Sequence, residues 1–298
     1  MSETWKQLLE KVENVTGIFY PITSTVKALT DSKISKIMLE REYDEKYKRE
    51  ILDNGIMDDY TKAVLISNLS KSTIEFANRA KILNISFDNV SDTAKPEKID
   101  DDWLFTFINK AAYISNEQMQ YVWGRILSEA CDNPEFCSKT LLNTLSLMNR
   151  KQAECFKNIC KFRLVNMDIS PDNNDVISIY PVIFFSKGAK GYGTQGLTNR
   201  GILELQHLGL IDVDSKKEFV VYKDHLKLRD RKNSVEVFGK RKIEIGNIVF
   251  TYDGFLLQKI IEDSYDSQIM DYNIMIWCRK GYEVYLNGKR ESVNYWTC

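Results

Sequence analysis

Long apolar runs are missing from this chain. The nearest approach, GIFYPITSTVKAL at 17–29, is broken by Pro21 and by hydroxyl residues. It falls short of the ~20 apolar residues that a bilayer-spanning helix needs. The N-terminus, MSETWKQLLEKVENV, lacks a basic stretch followed by an apolar core, so no signal peptide is expected. Both absences predict a cytoplasmic protein without a membrane partner. Metal-binding spacing is also missing. The six cysteines (Cys131, Cys137, Cys155, Cys160, Cys278, Cys298) form no CxxC pair, and only His207 and His225 are at hand to join them. Zinc needs tighter, paired ligands, so the reading is reduced thiols, no metal and no cofactor. Strong charge of one sign is absent too. At a formal net charge of −1, any contact with nucleic acid must come from a local patch.

Glycine and proline are scarce in one half only. Of 14 glycines, Gly17, Gly55 and Gly124 alone precede residue 165. The first half therefore has helical composition, and the second has the turns a sheet requires. The polar, turn-forming NMDISPDNND at 166–175 marks the expected boundary. These features predict an α+β protein with an all-helical domain at 1–165 and a mixed α+β domain at 176–298. The 298 residues suffice for two cores.

In the first half, helices are predicted near 3–15, 22–30, 33–53 and 57–84. KIMLEREYDEKYKRE alternates charge signs, as a solvated helix face does. The densest signals lie at 100–164. Asp100, Asp101 and Asp102 open a helix, where carboxylates favour the positive end of its dipole; a metal cluster is the weaker reading. Trp103, Leu104, Phe107, Ile108 and Ala111 make its apolar stripe. Ser115 and Gln118 form a capping box for the next helix. There Met119, Val122, Trp123, Ile126, Leu127 and Ala130 recur at helical spacing and make a complete buried face. Gly124 is costly in a helix by about 1 kcal/mol, which close approach of a neighbouring helix would explain. Arg125 points off the stripe, either to pair with Asp101, Asp102 or Glu129 or to hold a partner. Ser138 is placed to cap KTLLNTLSLM, and Asn149 with Gln152 to cap KQAECFKNIC.

The run DDWLFTFINKAAYISNEQMQYVWGRILSEACDNPEFCSKTLLNTLSLMNRKQAECFKNI resembles a bacterial family catalogued only as a domain of unknown function. Asp102-Trp103, Ser115, Gln120, Trp123, Ile126-Leu127, Glu129, Pro134 and Phe156 carry the resemblance. Pro134-Glu135 and Ser128 depart from that family's usual Pro-Gly pair and its small-residue step. The family is itself similar to abortive-infection proteins of bacterial antiphage defence. The resemblance implies a binding component of such a system, and it brings no catalytic residues with it.

The second half reads mostly as strand. VISIYPVIFF (176–185) is apolar and β-branched, with Pro181 pointing to an edge or bulge. GAKGYGTQG (188–196) follows as a surface loop; with Lys187 or Lys190 it is a weak candidate for cradling a phosphate. It lacks the endings of the known phosphate loops. Thr198 caps a helix closed by Leu208 and Gly209. LIDVDSKKEFVVY then reads as a hairpin, giving winged-helix character. LTNRGILELQHL (197–208) and FTYDGFLLQKII (250–261) echo one another, each with an early glycine that would let backbone approach the sheet. Asn287-Gly288 marks a tight hairpin in the tail.

Residues 216–242 hold ten Lys or Arg against four Asp or Glu. Lys227, Arg229, Arg231, Lys232, Lys240, Arg241 and Lys242 are the candidate nucleic-acid contacts, beside the expected wing. His207 and His225 have no nucleophile near them in sequence, so an enzyme is the third reading. The first is a non-enzymatic component of antiphage defence that binds protein or nucleic acid, and the second a winged-helix DNA-binding regulator. A protein partner comes before nucleic acid in these expectations, and a second copy of the chain is also a candidate.

Overall fold

The computed structural model describes residues 3–17, 45–133, 138–168, 179–184, 190–214, 218–230, 232–261 and 267–292. The helix expected at 22–30 and residues 33–44 of the one expected at 33–53 lie outside them. The chain divides into two compact units, 1–146 and 147–298, and among the described residues the architecture is α+β.

The first unit holds α1 (Glu3–Thr16), a helical stretch at 45–52, α2 (Asp59–Phe87), α3 (Asp101–Ala111), α4 (Glu117–Asp132) and most of α5 (Lys139–Leu147). The Asp100 side chain accepts from Trp103 N–H at 2.8 Å and so starts α3 as a cap. Asp100 and Asp102 also lie near Lys139, and Asp101 pairs with Lys11. The acidic triplet is thus helix capping and pairing. The cap of α4 shifts by one residue from expectation. Asn116, not Ser115, accepts from Met119 N–H at 3.1 Å. Either side chain can satisfy the orphan donors of a first turn, and the helix begins late enough to select the second.

Trp123 is wholly buried, with its ring 5.1 Å from that of Phe107, which in turn stacks on Trp103. Gly124 lies against α2: a Cβ there would stand 2.5 Å from Ile85 Cγ2 and 3.0 Å from the Ile82 carbonyl. The helices can approach this closely only because the side chain is absent. Buried polar groups add direction to the contact. Asn78 of α2 donates to the Ala112 carbonyl, and Gln120 of α4 donates to Asn78 and to the Ile114 carbonyl. Leaving any of them unpaired would cost more than the bonds contribute.

The second unit begins with α6 (Arg150–Cys160), opened by the expected Asn149/Gln152 capping box. Most of the expected boundary at 166–175 lies outside the described residues, and the contacts divide the chain at 146/147. The reason is packing: α6 lies against α8 (Asn199–His207), and Cys155 sits beside Gly201. β1 (Arg163–Asn166), β2 (Ile179–Pro181), β5 (His225–Arg229), β6 (Ser234–Phe238), β9 (Glu283–Leu286) and β10 (Lys289–Glu291) form one sheet. Its order is β10-β9-β6-β5-β1-β2, antiparallel throughout. Asn287 and Gly288 take positive φ in the β9–β10 turn, as expected of that pair.

The expected wing is not built as a hairpin. β3 (Ile211–Val213) pairs with β8 (Ile248–Phe250), and β4 (Phe219–Val221) pairs with β7 (Ile243–Gly246). The two strands run against separate partners because each finds an apolar strand downstream. The glycine-rich stretch also departs from a simple loop: Lys190–Thr194 form the short helix α7. Buried Tyr192 anchors it, its hydroxyl accepting from Phe184 N–H at 2.7 Å. The two echoed segments share their caps. Thr198 accepts from Gly201 N–H, and Thr251 from Gly254 N–H at the start of α9 (Tyr252–Ile260). Their glycines differ in purpose, since Gly254 abuts the Leu210 carbonyl, whereas Gly201 abuts the Cys155 thiol of a helix.

One face of the large sheet buries Leu226, Leu228, Val235, Val237 and Val284 against Met270, Ile274 and Trp277 of α10 (Ser267–Arg279). Strand alternation then turns the intervening residues of β5, β6 and β9 to the opposite face.

Two substitutions test the helical contact. Trp123→Ala is expected to cost about 3–5 kcal/mol of stability, as truncation of a buried aromatic does. Gly124→Ala is expected to cost about 1–3 kcal/mol by overpacking, although alanine is the better helix former. Urea denaturation measures both. A Gly124→Ala protein as stable as the parent would show that α2 and α4 have room to separate.

Candidate functional site

The open face of β5, β6, β9 and β10 gathers side chains far apart in sequence. Register places them in rows. His225, Phe238 and Glu283 lie side by side, and Lys227, Glu236, Tyr285 and Arg290 form the row beside them. Arg229 faces Ser234 in a third.

The rings are in contact. His225 stacks on Phe238 with centroids 4.2 Å apart and planes within 3°, and Phe238 meets Tyr285 edge-on at 5.7 Å. Phe238 remains 37% exposed, which is costly for a phenylalanine on a solvent-facing strand. Glu236 meets His225 Nε2 at 3.0 Å and Lys227 at 3.7 Å. The Tyr285 hydroxyl donates to Glu283 at 2.6 Å, and Arg290 reaches the same carboxylate oxygen at 3.4 Å. That hydrogen bond to a carboxylate pushes the ionisation of Tyr285 upward and holds its ring in place. Glu236, Phe238, Glu283, Tyr285 and Gly288 line a depression of about 300 Å³ between them.

The structure does not gather the predicted basic residues into one patch. Arg229 and Lys232 stand at the turn joining β5 to β6, while Lys240, Arg241 and Lys242 follow the far end of β6. The length of β5, about 13 Å at ~3.3 Å per residue, separates the two groups. Lys227 lies between them, close to Glu236, and Lys242 is close to Glu244. Arg229 and Arg241 are exposed, Arg241 with a φ of +74° in its turn. Arg231 lies outside the described residues. The basic stretch is thus a perimeter, with the aromatic trio inside it.

Sequence reasoning missed Phe238, Tyr285, Glu283 and Arg290. The only available signal was the alternation of SVEVF and EVYL, which puts an aromatic on the polar side of each strand. That β6 and β9 are neighbours is a long-range fact no local pattern carries.

Other sequence candidates are accounted for by packing. Arg125 is half-buried, donates to Asn89 at 2.6 Å and lies 3.8 Å from Glu129. The signature residues Trp103, Gln120, Trp123 and Phe156 are buried, and Phe156 packs on Phe250. Cys155 is buried beside Gly201, and loss of solvent pushes its thiol up to about 11, far from a nucleophile's range. His207 ends α8, exposed. Lys187 lies outside the described residues. Among the described residues no three His, Cys, Asp or Glu side chains gather as a metal site, and no helix is long and apolar enough to cross a membrane.

On the sheet's other side, Lys280 Nζ donates to both oxygens of Glu218, at 2.8 and 2.7 Å, and to Glu244 at 2.7 Å. The two carboxylates share one ammonium and respond oppositely. Hydrogen bonding to Lys280 lowers the pKa of Glu244, whereas burial raises that of Glu218. A depressed carboxylate contributes stability above its unfolded pKa and loses it as pH falls through the folded value. Glu244→Gln should therefore flatten the acid limb of the stability curve below about pH 4.3, the ordinary glutamate value. Thermal midpoints across that range would measure it, and parallel curves for variant and parent would show that Glu244 gains nothing from Lys280.

No curated protein and no solved structure matches the chain. The family described as "Protein of unknown function (DUF2806)" matches residues 69–273, from the middle of α2 into α10, and the chain belongs to that family.

Proposed function

We propose that the chain is a non-enzymatic, cytoplasmic component of bacterial antiphage defence that acts by binding, and that nucleic acid is what its open sheet face binds. The defence setting rests on the resemblance carried by residues 101–159. The choice of partner rests on one observation: three touching rings, His225, Phe238 and Tyr285, face solvent inside a perimeter of cations. Lys227, Arg229, Lys232, Lys240, Arg241 and Arg290 outnumber Glu236 and Glu283 on the face and Asp224 and Asp230 at its turns. Exposed cations around a polyanion release its condensed counterions, and that release drives association.

A protein partner, or a second copy of the chain, is the second reading. Ile56, Tyr60 and Ile74 favour it, being 97%, 79% and 60% exposed. A winged-helix regulator has no comparable support, because β3 and β4 pair with separate strands.

A gel-shift titration with single-stranded and duplex oligonucleotides tests the reading. Affinity should fall steeply between about 50 and 200 mM salt. The double variant Arg229→Glu, Arg241→Glu should abolish the shift at an unchanged unfolding midpoint, since exposed charges add little stability. No shift of either oligonucleotide at low salt and micromolar protein would overturn the nucleic-acid reading in favour of a protein partner. The defence setting has its own test, phage plating on cells carrying the locus. Protection should be lost with the double variant, and protection independent of this chain would remove the setting.

A further inference from the structure

We infer that the open sheet face is a stacking platform for unpaired bases, so that its ligand is single-stranded nucleic acid and not duplex. The inference deepens the nucleic-acid reading and rests on it.

Phe238 and Tyr285 sit on adjacent strands, one residue row apart, with centroids 5.7 Å from each other. His225 covers Phe238 from the β5 side, and the depression lies on the β9 side, where both rings border it. A duplex keeps its bases stacked on each other and offers a flat sheet only phosphates and groove edges. An unpaired strand offers π-faces, which every base has, and aromatic side chains hold them with little regard to sequence.

The carboxylates decide between the two forms. Glu236 and Glu283 stand at the centre of the face, where a phosphate would meet like charge. Glu236 has both oxygens engaged, by His225 and by Lys227. Glu283 uses one oxygen for Tyr285 and Arg290, which leaves its second as an acceptor on the wall of the depression. Adenine, cytosine and guanine carry exocyclic amino donors that suit such an acceptor, and thymine and uracil carry none. The cations are set where a backbone running round the rings would pass. Arg290 borders Tyr285, Lys240 and Arg241 follow Phe238, and Arg229 lies at the far end of β5. Rings inside, cations outside and an acceptor at the ring edge are together the requirements of a base-out strand.

The test is fluorescence anisotropy with end-labelled 12-mers of DNA and RNA, single-stranded and duplex, over a salt series. Single strands should bind at least tenfold tighter than duplex, and the DNA and RNA arms show which sugar is preferred. Phe238→Ala and Tyr285→Ala should each weaken binding about 5- to 100-fold, the range of one lost base stack. Their salt slope should not change, because the phosphate contacts persist. Tyr285→Phe, which keeps the ring, should bind within about twofold of the parent and so separates stacking from folding defects. Oligo(dC) should outbind oligo(dT), and Glu283→Ala should erase that preference.

Equal or tighter binding of duplex overturns the inference while leaving the nucleic-acid reading intact. Unchanged affinity in the two alanine variants, with their unfolding midpoints preserved, overturns it as well. Failure of both strand forms to bind removes the nucleic-acid reading and this inference together. A saturable response to an arginine-rich peptide in place of the oligonucleotides would assign the rings and carboxylates to a basic protein segment, and would also overturn it.

Discussion

Burial of Trp277 decides which side of the large sheet meets water. Its ring is fully inside, edge-on to Phe184 at 6.1 Å, and its indole N–H donates to the Glu244 carbonyl at 2.8 Å. That single side chain joins α10 to β7 and lays the helix across the apolar face made by β5, β6 and β9. Strand side chains alternate strictly, so fixing one face fixes the other. A register slip of one residue would bring Phe238 and Tyr285 inward and expose Val237 and Val284. The solvent-facing rings are therefore a consequence of how the core is closed and not a local accident of surface sequence.

The same constraint explains what could be read from the chain and what could not. The described helices of the first half were legible because their signals are local, whereas α7 and α10 were not read from the sequence. Asp100, Ser138, Asn149, Thr198 and Thr251 are caps in the structure, and the stripe is buried from Trp123 to Ala130, with Met119 and Val122 only partly covered. The cost of Gly124 pointed correctly to a close neighbour, which is α2. The second half was read as mostly strand, yet β5 and β6 were not singled out, and of the strand pairings only the Asn287-Gly288 hairpin was read correctly. Ile211–Val213 and Phe219–Val221 looked like the two arms of a hairpin because they are adjacent in sequence, yet each pairs with a more distant strand, β3 with β8 (Ile211 opposite Phe250) and β4 with β7 (Val221 opposite Ile243). Apolar pattern specifies a buried face, and many partners satisfy it equally.

The site was legible in its charge and illegible in its geometry. Counting Lys and Arg over 216–242 found the cations but placed them together. Folding the stretch into β5 and β6 sends them to opposite ends, and Lys227 is left beside Glu236. Arg125 shows the reverse case. An arginine next to a tryptophan and a glycine drew attention as a partner contact, and it is held by Asn89 and Glu129 within its own unit. A charged residue in a dense stretch of core is most simply satisfied by the chain itself, since leaving it unpaired would be expensive.

Mixed charge on the open face bears on selectivity under the proposed reading. A uniformly basic sheet would hold any polyanion, and its affinity would be set by salt alone. Placing Glu236 and Glu283 among the rings takes away part of that indiscriminate attraction. What is lost in Coulomb energy must be recovered by contacts that only a ligand with exposed bases can make: a ring over Phe238 or Tyr285, and an amino group at the free oxygen of Glu283. Specificity is a difference between two affinities, and weakening the wrong complex serves it as well as strengthening the right one. Lys227 and Arg290 fit the same logic. They lie near enough to the carboxylates to limit the cost of two negative charges on one face, at 3.7 and 3.4 Å, and both remain exposed enough to turn toward a phosphate when one arrives. The carboxylates would then be freed for the base edges at the moment the backbone docks.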